Sequence, residues 1–99
     1  MKGLTERISS TVKTGKVVRG SKKVIYALLM GNPKLIILSE NCAREIKDRI
    51  KYYSKLSDIP CKTVSETSLE LGSICGRPFP ISTLAVIDQG DSDILAVVK

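Results

Sequence analysis

Leu35-Ile36-Ile37-Leu38 decides the fold of this chain. The run is continuously apolar, of strand length, and bounded by Pro33 before it and by Ser39-Glu40-Asn41 after it. A strand with no polar face is covered on both sides, so this one belongs at or near the middle of a sheet with helices above and below.

On the N-terminal side, Gly31-Asn32-Pro33 carries the residues that stop a helix, and the apolar stripe of that helix is Val24, Ile25, Leu28 and Leu29. Ahead of it stands Gly15-Lys16-Val17-Val18-Arg19-Gly20-Ser21-Lys22-Lys23, in which a very short strand at Val17-Val18 runs through Gly20 into a lysine-rich helix start. Leu4, Ile8 and Val12 recur at i, i+4 and i+8, which predicts an amphipathic first helix ended by Gly15.

On the C-terminal side, a third helix is predicted from about Ala43 to Ser57, with Ile46, Ile50, Tyr53 and Leu56 on one face, and Asp58-Ile59-Pro60 ends it. Cys61-Lys62-Thr63-Val64 is a weaker strand. Thr67-Ser68-Leu69-Glu70 matches the capping box, so a short helix runs from Ser68 to Cys75 and closes at Gly76. Arg77-Pro78-Phe79-Pro80 is a stiff non-helical loop, because each proline disfavours the α region for the residue before it. Thr83 to Ile87 reads as a buried strand, Gln89 to Ser92 as a turn and Ile94 to Val98 as a final extended segment. Helices and strands in alternation predict an α/β chain, a three-layer α/β/α sandwich with right-handed crossovers between parallel strands.

At 99 residues the chain is expected to be a single domain, residues 1–99. A hydrophobic share of 42% with 26% charged residues indicates a globular protein. Tyr26, Tyr52, Tyr53 and Phe79 are the aromatic residues, so the core is aliphatic and stacking on bases falls to few rings. A net charge of +6 favours an anionic partner, nucleic acid or an acidic surface. The cysteines, Cys42, Cys61 and Cys75, lack a C-x-x-C pair and any histidine, so they read as small buried or half-buried thiols in a reducing compartment. The first residues, Met1 to Arg7, lack the apolar run of a signal peptide, and nowhere do 18 apolar residues occur in succession, so a cytoplasmic protein without membrane partners is expected. Glu45, Asp48, Asp58, Glu66 and Glu70 suit helix faces and helix starts, and no hydrolase, dinucleotide or phosphate-loop motif appears. The expectation is therefore no enzyme, no metal, no cofactor and no small-molecule substrate.

Gly20-Ser21-Lys22-Lys23 has two readings: a flexible connection with a solvated face, or an anion site. Lysines at a helix N-terminus oppose the dipole by about 0.3–1 kcal/mol each, and an anion relieves that conflict. Asn41 is either a helix cap or a free amide in the loop after the central strand. The loops at 20–22 and at 41 both leave the C-terminal ends of parallel strands and share one sheet edge, where open α/β folds bind ligands. If the last main strand runs antiparallel to the others, the loop at 76–80 that precedes it joins them.

These residues carry a resemblance. Thr14-Gly15-Lys16 through Gly20-Ser21-Lys22-Lys23, Lys34-Leu35-Ile36-Ile37, Ile50-Lys51-Tyr52-Tyr53-Ser54-Lys55-Leu56, Leu69-Glu70-Leu71-Gly72, Gly76-Arg77-Pro78-Phe79 and Asp88 through Leu95 together resemble the archaeal and eukaryotic "e" family of large-subunit ribosomal protein thirty. The likeness spans essentially the whole chain, and the lack of long extensions looks archaeal. The resemblance implies a four-stranded mixed sheet whose last main strand is antiparallel. It implies binding of kink-turn RNA, a sharply bent internal loop with sheared G·A pairs, as in the group that includes ribosomal protein seven-a. Gly20 and Lys22 then meet the G·A region and its phosphates, Asn41 a guanine edge, and Phe79 an extruded nucleotide, with Ser21, Lys23, Gly76, Arg77 and Pro78 completing the surface. Lys16 and Arg19 add positive charge. The implied protein is a structural part of the large ribosomal subunit, monomeric when free, with ribosomal RNA and neighbouring ribosomal proteins as partners. Two alternatives stay open: a kink-turn protein of an RNA-modification or processing particle, and a protein–protein adaptor on the same fold.

Overall fold

The computed structural model describes residues 2–88 and 90. Among them the chain runs α1 (Lys2–Thr14), β1 (Lys16–Arg19), α2 (Ser21–Met30), β2 (Leu35–Leu38), α3 (Arg44–Leu56), β3 (Cys61–Thr63), α4 (Ser68–Ile74) and β4 (Thr83–Asp88). Every residue of β2 is fully buried, as its unbroken apolar run requires.

The sheet order is β1-β4-β2-β3, so β2 is interior and β4 is its other interior strand. β4 is antiparallel to both β1 and β2, while β2 and β3 are parallel, which makes the sheet mixed. Alternation along the strands divides the core in two. Leu35, Ile37, Leu84 and Val86 face α1 and α4, where they pack with Ile8, Leu71 and Cys75. Ile36, Leu38 and Ala85 face α2 and α3, where Val24, Leu28 and Ile50 cover them. The architecture is the expected three-layer α/β/α sandwich.

Element ends follow their residues. Gly31 closes α2 in the left-handed region with φ 72°, and its N–H reaches the Ala27 and Leu28 carbonyls. The Thr67 hydroxyl accepts from the Glu70 N–H, and the Glu70 carboxylate accepts in return from the Thr67 N–H at 2.9 Å.

Two stripe assignments need correction. Leu29 is 62% exposed and Leu56 is 67% exposed. Leu29 lies about 140° around α2 from Val24, and Leu56 about 120° around α3 from Ile50, at roughly 100° per residue, so both clear the sheet. Ala27 and Ser54 are buried in their stead. The segment expected to extend from Ile94 to Val98 lies outside the described residues.

Candidate nucleic-acid interface

Gly20 links β1 to α2 at φ 92° and ψ 142°, a backbone conformation closed to most residues with a Cβ. It caps α2 without any side-chain hydrogen bond, and the first turn holds no acidic residue. The free N–H groups of that turn therefore stand beside the exposed Lys22 and Lys23 with nothing anionic to offset them. Among the described residues, Lys22, Lys23 and Arg77 have no carboxylate partner.

The start of β4 ties this corner to the rest of the surface. The Gly20 N–H donates to the Thr83 carbonyl at 3.3 Å on one side of the strand, and the Ser39 N–H donates to the Ser82 carbonyl at 2.9 Å on the other. β1 and β2 flank the same strand, so the loops leaving them stand roughly 10 Å apart, two strand spacings. The loop entering β4 rises between them. All three loops occupy one edge of the sheet.

Asn41 does not cap the helix that follows it, whose N-cap is Ala43 with no side-chain hydrogen bond. Its Oδ1 instead accepts from the Ser68 N–H at 2.8 Å, at the first turn of α4, and from the buried Ser39 hydroxyl at 3.1 Å. Both bonds consume the carbonyl end of the amide. The amino end of this exposed residue is left to donate outward, and an acceptor on a base edge is its natural complement.

The loop of residues 76–80 is pinned at its ends. The Arg77 N–H donates to the Gly72 carbonyl at 2.9 Å, and the Ile81 N–H to the Ser68 carbonyl at 2.8 Å. Gly76 opens the loop at φ 72°. Gly72, buried within α4, allows the Phe79 carbonyl to lie where a Cβ would otherwise stand. Phe79 is 46% exposed, and Arg77, Pro78 and Pro80 are exposed beside it.

A cavity of about 230 Å³ separates the β1–α2 corner from this loop, with Arg19, Gly20 and Lys23 on one wall and Phe79, Pro80 and Ser82 on the other. The Arg19 guanidinium carbon sits 5.8 Å from the centroid of the Phe79 ring. Arg19 Nη1 is buried without a hydrogen-bond partner. An anionic acceptor entering the cavity would satisfy it.

The sequence-predicted site residues thus fall on one surface: Gly20, Ser21, Lys22 and Lys23 at one corner, Asn41 at the second loop, and Gly76, Arg77, Pro78 and Phe79 at the third. Arg19 belongs here as a cation–π partner for Phe79, in addition to the general charge expected of it. Gly72, Ser39 and Ser68 hold the surface in shape, and their polar or small side chains alone carry no such signal.

Burial pushes all the cysteine thiols up from their ordinary range. For Cys75 the charges of Arg19 and Arg77 oppose the shift, and for Cys42 and Cys61 nearby lysines do so. They are free thiols, as expected, with Cys42 and Cys75 buried.

A profile of the Ribosomal protein L7Ae/L30e/S12e/Gadd45 family matches residues 2–96. The chain belongs to this family. It is 42% identical over 99 residues to the protein named large ribosomal subunit protein eL30 of Methanopyrus kandleri, covering 100% of this chain and 91% of that one. It is 48% identical over 90 residues to the protein of the same name from Methanosphaera stadtmanae, covering 91% and 92% respectively. A solved structure, a protein of unknown function from Bacillus halodurans C, superposes with a TM-score of 0.84 at 23% identity over 96% of this chain and 94% of that one. That likeness concerns the fold alone. The resemblance read from the L7Ae/L30e-type residues is borne out, and membership of a ribosomal protein family agrees with the expectation of a non-enzymatic chain.

Proposed function

We propose that this L7Ae/L30e family protein is a structural component of the large ribosomal subunit that works in the cytoplasm and grips ribosomal RNA at a kink-turn. The observation that carries the reading is the joining of the three loops through the start of β4. That arrangement supports simultaneous contact with phosphates at Gly20-Ser21-Lys22-Lys23, a base acceptor at the Asn41 amino group and an unstacked base at Phe79. The narrow A-form major groove does not admit side chains to base edges, whereas a sharply bent internal loop turns bases outward and crowds phosphates together. The positive charge of Lys22, Lys23, Arg19 and Arg77 offsets that crowding. Neighbouring ribosomal proteins are partners in the same assembly.

Titration of a kink-turn oligonucleotide at several salt concentrations tests the phosphate contacts. Replacing Lys22 with alanine is expected to flatten the slope of log affinity against log salt by roughly one unit or somewhat less. An unchanged slope would remove Lys22 from the interface.

A further inference from the structure

We propose that the groove between α2 and the β1 edge of the sheet is a second RNA contact that takes an unpaired nucleotide. The proposal rests on the RNA-binding reading above and concerns a groove that adjoins that surface and shares Lys22 and Lys23 with it.

The groove holds about 440 Å³, within the range of small-ligand pockets. Lys16, Lys22 and Lys23 supply its charge, and Val18, Ala27 and Ile87 give it an apolar floor. Tyr26 and Asn32 stand at its sides. Tyr26 is 67% exposed, a large ring with no ring or cation partner among the described residues. Among the described residues, no carboxylate lines the groove. Asp88, opposite Lys16 in the β1–β4 ladder, directs Oδ1 to the Gly90 N–H at 3.0 Å.

Charge complementarity selects the occupant. Three ammonium groups call for an anion, and a wide apolar floor beside an exposed ring and an amide calls for a flat, partly polar body. A nucleotide supplies both in one unit, with its phosphate toward the lysines and its base against Tyr26. An acidic peptide would satisfy the lysines and leave the ring and floor to water. Lys23 lines both this groove and the 230 Å³ cavity beside Phe79, so one RNA strand reaches both.

Binding of a single-stranded uridine hexanucleotide, followed by NMR on the full chain, tests the proposal without any kink-turn. Wild type, Tyr26→Ala and Tyr26→Phe are compared, and a 4-thiouridine version is photocrosslinked and mapped. The crosslink is expected within residues 16–32, Tyr26→Ala is expected to weaken the hexanucleotide by about fivefold or more, and Tyr26→Phe to retain it. Affinity for a kink-turn lacking unpaired flanks should be unchanged in Tyr26→Ala. Equal hexanucleotide binding by wild type and Tyr26→Ala, or a crosslink confined to the Phe79 loop, overturns the proposal. Protection of Tyr26 by an acidic peptide but not by the hexanucleotide overturns it as well. Failure of wild type to prefer a kink-turn over a duplex would sink the preceding reading, while the hexanucleotide binding and its crosslink would still decide whether the groove takes a nucleotide.

Discussion

At Gly20 the constraint is the backbone and not space. Its φ is 92°, yet no atom lies within 4 Å of where a Cβ would stand. Gly20→Ala is therefore expected to cost about 1–3 kcal/mol of stability through strain alone, measured by denaturant unfolding. A wild-type midpoint for that variant would show that the corner relaxes freely. A glycine before Ser21-Lys22-Lys23 is legible as a turn into a helix, because the signal is local. The role of Asn41 is not, because its partner Ser68 lies 27 residues away and only the assembled sheet brings them together. The cysteines make a pH prediction. Their thiols titrate above the ordinary value of 9.0 when folded, so above about pH 9 the unfolded chain holds fewer protons than the folded one. Stability contributed by their burial is intact below that pH and falls as pH rises through the folded values. The loss of unfolding midpoint between pH 7 and pH 10 should be smaller in a variant with all three cysteines replaced by alanine, and an equal loss would contradict a role for the thiols.

Among the elements, α4 sets the geometry of the interface. It spans Ser68–Ile74, its first N–H is held by Asn41, and its carbonyls hold both ends of the loop that carries Phe79. Gly72 is the contact point, where a Cβ would collide with the Phe79 carbonyl. Gly72→Ala is expected to lower stability by about 1–3 kcal/mol and to displace the loop, so RNA affinity should fall together with the unfolding midpoint. Retained affinity with lowered stability would show that the position of the loop does not matter. The Thr67-to-Glu70 capping box is readable because four consecutive residues contain the whole motif. The apolar stripes of α2 and α3 are only partly readable: periodicity marks which residues are apolar, but the line of contact with the sheet decides that Ala27 and Ser54 go in while Leu29 and Leu56 stay out. Fold class is legible from β2 because a run with no polar face has few places to go.

For the whole molecule, the order β1-β4-β2-β3 converts three separated loops into one surface. β4, antiparallel between β1 and β2, is the reason that a loop preceding a strand meets two loops that follow strands. A net charge of +6 draws the chain to any polyanion, so attraction to RNA by itself does not distinguish this surface from a basic patch. Shape does. In the proposed complex, the amide of Asn41, the ring of Phe79 and the amides at the α2 start engage together only where RNA is bent and its bases are unstacked. The most direct measurement is a comparison, at one physiological salt concentration, of the affinity for a kink-turn oligonucleotide and for a plain duplex of equal length and charge. The kink-turn is expected to bind at least about tenfold tighter, from roughly 1–3 kcal/mol for each stacked base with base contacts added. Equal affinity for the two RNAs would contradict kink-turn recognition.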